Sequence, residues 1–288
     1  MSKFTFLQAR GIEEAIALSQ RYGEESRYVA GGVALMQFLR LGLLQFKYLI
    51  SLNEIPDLRG VKEEKGWLRI GALATHREVE KSDLVATRNP LLHQVFHSVA
   101  FPRVREMGTV GGNLCHADPA QDPPVGLIAA KAEAVVQGPS GSRTVPLDAF
   151  FSDYYQTVLA AGEMLVEIRV PVDAGRRGWS YQKFLSRSHE DFSTVSCAVT
   201  LWQESPKAPC TDLRIALGSA GPTAVRAAGA EAVLRGRAVT PELIEEAAEV
   251  ARGEVSPSSD GRGSADYKRE MVSLFVRRAL LEALDRVA

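Results

Sequence analysis

The chain has 288 residues, of which 45% are hydrophobic and 24% are charged, and its formal net charge is −1. This balance is typical of a globular protein with a buried core and excludes an intrinsically disordered chain. No run of lysine or arginine stands out, so the composition also argues against a nucleic-acid-binding protein. At this length we expect about two domains, on the rough prior of ~150 residues per domain.

The N-terminus lacks the apolar segment of a signal peptide. The most apolar stretch, 35–50, is interrupted by Arg40 and Lys47, which a membrane-spanning helix would not tolerate. We therefore expect no transmembrane segment and a cytoplasmic location.

Residues that bind metals are too scattered to form a recognisable site. His93 and His97 stand one helical turn apart, but the residues between them lack the glutamate of a metalloprotease helix, so we expect no metal site there. The cysteines suit neither a disulfide framework nor an iron-sulfur cluster, and any cluster is expected on another chain. They are Cys115, Cys197 and Cys210.

The first 55 residues alternate between strand and helix patterns. Strands are predicted at Phe4–Gln8, Arg27–Ala30 and Tyr48–Leu52. A helix is predicted at Gly11–Tyr22, and a second begins directly after Gly31-Gly32. The order β-α-β-α-β favours a small sheet covered by helices.

In the middle of the chain, a strand at Leu68–Leu73 leads into a helix. Thr75, with Glu78 three residues later, is the capping-box arrangement that begins a helix. Another helix is predicted at Pro90–Val99. The following stretch, 103–124, is rich in glycine and is predicted to be a loop, longer than an ordinary connector and therefore a candidate for function.

Strands at Ala134–Gln137 and Met164–Val170 end the first unit, and 173–178 has the composition of a linker. We therefore predict domains at 1–173 and 174–288, with the first divided into subdomains of about 1–55 and 56–173. The second is predicted to be a small α+β domain, an antiparallel sheet backed by helices. Its strands are Trp179–Phe184, Ser193–Gln203 and Thr211–Gly218, and its helices are Pro241–Arg252 and Ser264–Val287.

The first candidate binding segment is Val29-Ala30-Gly31-Gly32-Val33-Ala34-Leu35-Met36, in which a strand ends in two glycines and a helix follows at once. Unsatisfied N–H groups and the helix dipole favour an anion at such a place, and glycine lets the anion approach. Taken alone, Gly-Gly between a strand and a helix is more often only a tight turn.

The second candidate segment is Gly108-Thr109-Val110-Gly111-Gly112-Asn113, which continues to Asp122. Thr109 and Asn113 can add neutral hydrogen bonds, and Asp122 can accept them from a ribose or a flavin ring. The alternative is a surface loop without a ligand. Two such segments in one domain favour a ligand with two phosphates, and because neither is a Rossmann or P-loop motif, a different nucleotide-binding fold is implied.

Four stretches of this chain resemble the FAD-binding medium subunits of carbon monoxide dehydrogenase-type molybdenum hydroxylases, which match the flavin domain of xanthine dehydrogenase. The combination of the first Gly-Gly turn with Thr-Val-Gly-Gly-Asn, in this order and separation, is specific, and the resemblance covers nearly the whole chain. The stretches are Ala30–Met36, Leu68–Thr75, Val104–Asn113 and Ser264–Leu280.

The resemblance implies a two-part α+β FAD-binding domain of the vanillyl-alcohol-oxidase and p-cresol-methylhydroxylase type. Val29 to Met36 and Thr109 to Asn113 would hold the FAD pyrophosphate. Asp122 would lie near the adenosine or ribityl part, Leu165 would pack on the cofactor, and Lys183 would approach the isoalloxazine and stabilise negative charge there. His116 and His189 are further candidates to influence the flavin, with an ordinary surface role as the alternative.

The chain departs from the family pattern at two places. Many members have His-Ser or Thr-Asp after the first Gly-Gly, whereas Val33-Ala34 offers no polar side chain, so backbone donors must suffice. Glu106 replaces the usual asparagine before Met107-Gly108, and a carboxylate beside a pyrophosphate is unfavourable unless it points away.

The resemblance implies an electron-transfer role: FAD in this chain would accept electrons from 2Fe-2S clusters of a small partner subunit and pass them to an external acceptor. A large partner subunit would hold the molybdenum cofactor, and the assembly would be a dimer of heterotrimers. Two alternatives remain. The first is a self-contained flavin reductase of the same superfold. The second is a flavin-free assembly or binding protein that keeps the fold.

Overall fold

The computed structural model describes residues 3–172, 177–188 and 190–287. The predicted domain boundary at 173/174 and the candidate His189 lie outside the described residues. The boundary therefore stays a prediction. No helix within the described ranges is both long enough and apolar enough to cross a membrane.

Three parallel strands form the N-terminal sheet, in the spatial order β1-β3-β2. They are β1 (Thr5–Gln8), β2 (Ser26–Val29) and β3 (Tyr48–Ser51). Parallel strands need a crossover connection, and each crossover here contains a helix, α1 (Ile12–Tyr22) or α2 (Val33–Arg40). The predicted β-α-β-α-β order of this region is confirmed.

A five-stranded antiparallel sheet follows, in the order β4-β5-β10-β6-β7. Its strands are β4 (Val61–Glu64), β5 (Trp67–Gly71), β6 (Glu133–Gly138), β7 (Gly141–Pro146) and β10 (Met164–Pro171). Two short strands, β8 (Phe151–Asp153) and β9 (Gln156–Thr157), form a separate hairpin. The helices between β5 and β6, except the one at Pro102–Met107, contribute buried residues to one hydrophobic core with this sheet. The helices in this part of the chain are α3 (His76–Glu80), α4 (Asp83–Arg88), α5 (Pro90–His97), α6 (Pro102–Met107), α7 (Val110–His116) and α8 (Asp122–Ala129).

The predicted loop at 103–124 is wrong, because most of it lies in α6, α7 and the start of α8. Local signals begin these helices: α6 and α8 have proline in the first turn, and the Thr109 side chain caps α7 by accepting from the Gly112 N–H. Each has only six to eight residues, so it shows no clear hydrophobic period. Glycine and proline also lower the intrinsic helix propensity, so tertiary packing must supply the stability. The capping box at Thr75 is confirmed.

The C-terminal sheet is antiparallel, in the order β11-β12-β13-β14, and helices back it as predicted. Its strands are β11 (Arg177–Phe184), β12 (Val195–Trp202), β13 (Asp212–Gly218) and β14 (Val225–Arg226). Its helices are α9 (Ala228–Leu234), α10 (Pro241–Gly253) and α11 (Ala265–Asp285).

Helix α8 joins the two halves of the molecule. All of its residues are buried, and it packs against α5 and α7 on one side and against β12 and β13 on the other. Every residue of β12 is buried because α8 covers one face of the strand and α11 covers the other. Ala198 accordingly belongs to the core around α8, whereas its neighbours Cys197 and Val199 belong to the core around α10 and α11.

His76 is a buried polar residue at the start of α3. Its backbone N–H donates to the carbonyl oxygen of Gly108 at 2.9 Å. Burial, and secondarily the charge of Arg105, lower the pKa of His76 from its ordinary value of 6.5 to about 4. The imidazole is therefore neutral at pH 7.

We expect His76 to make the fold acid-sensitive. Because its pKa is lower in the folded than in the unfolded state, its contribution to stability is complete above about pH 6.5 and is lost as the pH falls to about 4. That difference in pKa corresponds to about 3 kcal/mol. In urea titrations, the free energy of unfolding of the wild type should fall by this amount relative to that of His76→Gln, which cannot take up a proton. If the free energies of unfolding of the two proteins change with pH in parallel, the lowered pKa of His76 is contradicted.

Candidate cofactor site

The first glycine segment leaves β2 at Val29 and enters α2 at Val33. Gly32 precedes the helix with φ +72° and ψ 3°, a left-handed conformation that glycine adopts readily. The first N–H of this helix with an acceptor is that of Met36, which donates to the Gly32 carbonyl at 3.0 Å. Within the part of the chain that the structure describes, the N–H groups of residues 31–35 have no acceptor. Five consecutive backbone donors are therefore available to a ligand.

Gly31 lies against the backbone that leads into the second glycine segment. A Cβ atom on Gly31 would stand 1.7 Å from the carbonyl oxygen of Met107 and 3.3 Å from the Cα of Gly108. A Cβ atom on Gly112 would stand 3.9 Å from the Ala30 methyl group. The two glycine segments, which are far apart in sequence, are thus in direct contact.

The backbone amides of the second segment, unlike those of the first, already have acceptors. The N–H groups of Val110, Gly111, Gly112 and Asn113 donate to protein oxygens at 2.8 to 3.1 Å. The acceptors are the carbonyl oxygens of Ala74, Ala72 and Thr109 and the hydroxyl of Thr109. This segment therefore offers a ligand side-chain groups rather than backbone donors.

Two side chains of the second segment have uncommitted polar atoms. The Oδ1 atom of Asn113 is buried and has no hydrogen-bond partner in the described ranges. The Thr109 hydroxyl accepts from Gly112, and its own proton has no acceptor among the described residues. A buried polar atom without a partner is costly, so this arrangement fits a polar ligand such as FAD lying across both segments.

Asp122 and Lys183 form a buried ion pair between α8 and β11. Lys183 Nζ lies 2.9 Å from Asp122 Oδ2, and the two side chains are 8% and 7% exposed. Lys183 also donates to the Ser98 carbonyl at 3.0 Å, and the Tyr181 hydroxyl donates to Asp122 Oδ1. Burial raises the pKa of Asp122, although Lys183 and Tyr181 act in the opposite direction. Sequence reasoning treated Asp122 and Lys183 as separate contacts to the cofactor, whereas the structure pairs them.

The remaining predicted residues differ in their surroundings. Leu165 is buried in the core of the second sheet, beside an irregularity in the β6–β10 pairing. His116 packs against the rings of Phe38 and Tyr155, at centroid distances of 5.3 and 5.2 Å. Burial lowers the pKa of His116. It is thus a half-buried aromatic contact at the end of α7.

Glu106 has an exposed side chain that pairs with Arg77 at 3.4 Å. Arg77, which also pairs with Glu80, therefore offsets part of the negative charge of this carboxylate. The described residues contain no group of three or more side chains able to hold a metal ion. His97 instead contacts Glu80 at 2.9 Å through Nδ1.

Sequence reasoning missed the turn between α5 and α6. Ala100 has φ +40°, an unusual conformation for a residue other than glycine, which its surroundings must stabilise. Arg105 Nη1 donates to the carbonyls of Val99 and Ala100 at 2.7 and 2.9 Å. Ser98, in the same turn, accepts from Lys183. No local pattern predicts this turn; the one sequence feature linked to it is Arg105, three residues before the second glycine segment.

Comparison with known proteins supports this interpretation along the whole chain. Residues 2–173 match the family described as the FAD binding domain in molybdopterin dehydrogenase, and residues 179–283 match the CO dehydrogenase flavoprotein C-terminal domain. The chain is 39% identical over 286 residues to the carbon monoxide dehydrogenase medium chain of Hydrogenophaga pseudoflava, covering 99% of each. It is 34% identical to the nicotine 6-hydroxylase medium subunit of Paenarthrobacter nicotinovorans, covering 94% of each.

Solved structures agree. Carbon monoxide dehydrogenase from Hydrogenophaga pseudoflava, in a form lacking the Mo-pyranopterin moiety, contains a chain with a TM-score of 0.96 and 40% identity, covering 100% of this chain and 99% of that one. For quinoline 2-oxidoreductase from Pseudomonas putida 86 the TM-score is 0.90 at 29% identity, with coverage of 99% and 98%. The predicted resemblance and the predicted fold, a two-part FAD-binding domain followed by a small α+β domain, are confirmed. The chain belongs to the FAD-binding subunits of molybdopterin dehydrogenases and is an FAD-dependent oxidoreductase subunit.

Proposed function

We propose that this chain is the electron-transfer subunit of a heteromeric molybdenum hydroxylase. It receives electrons from the 2Fe-2S clusters of a small partner subunit and passes them to an external acceptor. A large partner subunit holds the molybdenum cofactor and oxidises the substrate, and the complex is a dimer of heterotrimers in the cytoplasm. Support comes from the full-length similarity to the medium chains of carbon monoxide dehydrogenase and nicotine 6-hydroxylase.

The observation that carries the proposal is the row of backbone donors at residues 31–35, which have no acceptor in the described ranges. These N–H groups lie at the N-terminus of α2, where the helix dipole favours negative charge. We propose that they bind the pyrophosphate of FAD, within a contact segment that runs from Val29 to Met36. Val33-Ala34 brings no polar side chain, but the free amides supply enough donors without one.

The second segment, Thr109 to Asn113, has a different role in this proposal. Its backbone is bonded to the protein, so Thr109 and Asn113 contact the cofactor through their side chains. The close approach of Gly112 to Ala30 leaves a surface without bulky groups between the segments. A cofactor can thus lie across both.

FAD supplies the electron exchange, and the protein contributes binding, orientation and electrostatics. We propose that Lys183 directs its positive charge towards the isoalloxazine and favours negative charge there, while Leu165 packs on the cofactor. Asp122 moderates the effect, because an adjacent carboxylate cancels part of the field of the ammonium group. In this proposal, Asp122 acts on the cofactor mainly by orienting Lys183.

The first experiment is an absorption spectrum of the purified full chain, before and after incubation with FAD. Flavin bands in near-stoichiometric amount support the proposal. A colourless chain that refuses FAD would instead favour the flavin-free binding protein, an alternative suggested by Val33-Ala34. Co-purification with a larger and a smaller subunit separates the electron-transfer subunit from a self-contained flavin reductase, which would purify alone and turn over without partners.

Gly31→Ala should abolish most FAD binding. The added methyl group would overlap the Met107 carbonyl oxygen, so the two glycine segments must separate and the donors at 31–35 move. We expect the Kd for FAD, measured by flavin fluorescence, to rise about 100-fold. Gly253→Ala is the matched control, because a Cβ atom there meets nothing within 4 Å. Equal affinities in the two variants would exclude the first segment as the phosphate site.

Lys183→Ala should lower the free energy of unfolding by about 3–5 kcal/mol, because Asp122 is left buried without its cation. The double variant Lys183→Met/Asp122→Asn should recover much of that loss. The midpoint potential of the flavin is therefore measured in this variant. Its midpoint potential should be slightly more negative than that of the wild type, because the carboxylate removed with the lysine cancelled only part of the positive field at the flavin.

The control for this prediction is Lys131→Met/Asp212→Asn, which removes another lysine–aspartate pair joining the same two halves. Its flavin potential should match the wild type. If both double variants bind FAD with the wild-type potential, Lys183 has no electrostatic role at the flavin.

A further inference from the structure

Glu80, the last residue of α3, is a carboxylate that contacts two arginines and one histidine and is only 3% exposed. Oε2 accepts from Arg105 Nε and from Arg77 Nη1, each at 3.0 Å, and Oε1 lies 2.9 Å from His97 Nδ1. Removing a partner from such a buried pair leaves an uncompensated charge. Glu80 therefore ties together the ends of α3, α5 and α6.

Arg105 is 7% exposed and has a second set of contacts besides Glu80. Its guanidinium binds Glu80 through Nε and the carbonyls of Val99 and Ala100 through Nη1. A planar group with donors on two edges fixes the relative orientation of the groups it binds. The pair thus positions the left-handed turn at Ala100 relative to α3.

This ion pair is connected through the backbone to both ends of the proposed FAD site. Two residues after Arg105, the carbonyl of Met107 contacts Gly31. In the other direction, the turn that Arg105 holds includes Ser98, whose carbonyl accepts from Lys183. Displacement of Arg105 would therefore move Met107, which contacts Gly31, and also the Ser98 carbonyl, which binds Lys183.

The opposite end of α3 is bonded to the same segment. His76 N–H donates to the Gly108 carbonyl, and Thr75 pairs with Thr109 in an isolated β-bridge. Glu80 and Arg105 add a side-chain connection at the other end of this short helix. The segment from Arg105 to Thr109 is therefore held at both of its ends by α3.

We propose that the Glu80–Arg105 ion pair is a positioning device for FAD, which rests on the proposed binding of FAD between the two glycine segments. The pair holds Met107 against Gly31 and the Ser98–Phe101 turn against Lys183 before the cofactor arrives. Neither residue is a catalytic residue. They act on the affinity for the cofactor through the backbone that they orient.

The test compares FAD affinity with stability in the full chain. Glu80→Gln keeps the shape of the side chain and removes its charge, and we expect the Kd for FAD to rise about 10- to 100-fold. Glu231→Gln is the matched control. Its carboxylate is 1% exposed and pairs with Arg226 at 2.8 Å, but it lies in the C-terminal half. It should lose stability in thermal unfolding and keep the wild-type Kd.

A second variant tests the same proposal if Glu80→Gln does not fold. Glu80→Gln/Arg105→Gln removes both charges, so it leaves no unpaired ion between these residues and should fold better than the single variant. It should still bind FAD about 10- to 100-fold more weakly than the wild type, because neutral amides do not fix the position of the turn relative to α6. Arg105→Lys keeps the charge but not the two-edged geometry. Its Kd for FAD should lie between those of the wild type and the double variant.

The outcomes separate this inference from the proposed function. If the wild type binds FAD and the folded double variant has the same Kd, the positioning role is overturned while the FAD site stands. If Glu80→Gln and Glu231→Gln weaken FAD binding equally, the effect is one of general stability and the inference also fails. If the wild type itself does not bind FAD, the proposed function fails first.

Discussion

The contact of Gly31 with the Met107 carbonyl is the constraint on which the rest of the proposed site depends. It joins the parallel N-terminal sheet to the helices of the antiparallel second sheet with no side chain in between. Any Cβ atom at this position would push the two apart. Because the backbones meet here, the amides of the first segment lie next to the segment that carries Thr109 and Asn113.

The two glycine segments look alike in sequence but have different roles in the proposed site. At the first, a left-handed glycine and the start of a helix leave five N–H groups without acceptors among the residues that the structure describes. At the second, the carbonyls of Ala72 and Ala74 occupy the amides that a helix start would normally offer. A segment whose backbone is already bonded holds its side chains rigidly, which suits Thr109 and Asn113 to orienting rather than cradling a ligand.

Two buried ion pairs near the proposed site each join different structural elements. Asp122 and Lys183 join α8 to the C-terminal sheet, and Glu80 and Arg105 join α3 to α6. Such pairs add little net stability compared with apolar residues, but separating the partners leaves a buried charge uncompensated and is costly. They are therefore suited to setting the geometry around a flavin, whose properties depend on nearby charge and orientation.

The sequence alone determined the order of the long elements, because strands and amphipathic helices carry their own periods, and it determined the family, because two glycine motifs in a specific order are rarely accidental. It could not reveal α6 to α8, whose few residues have weak propensity and are stabilised by packing. Nor could it show that the Val110–Asn113 amides are occupied or that Asp122 binds Lys183. Those outcomes depend on acceptors and charges supplied by distant parts of the chain, and only the tertiary structure brings them together.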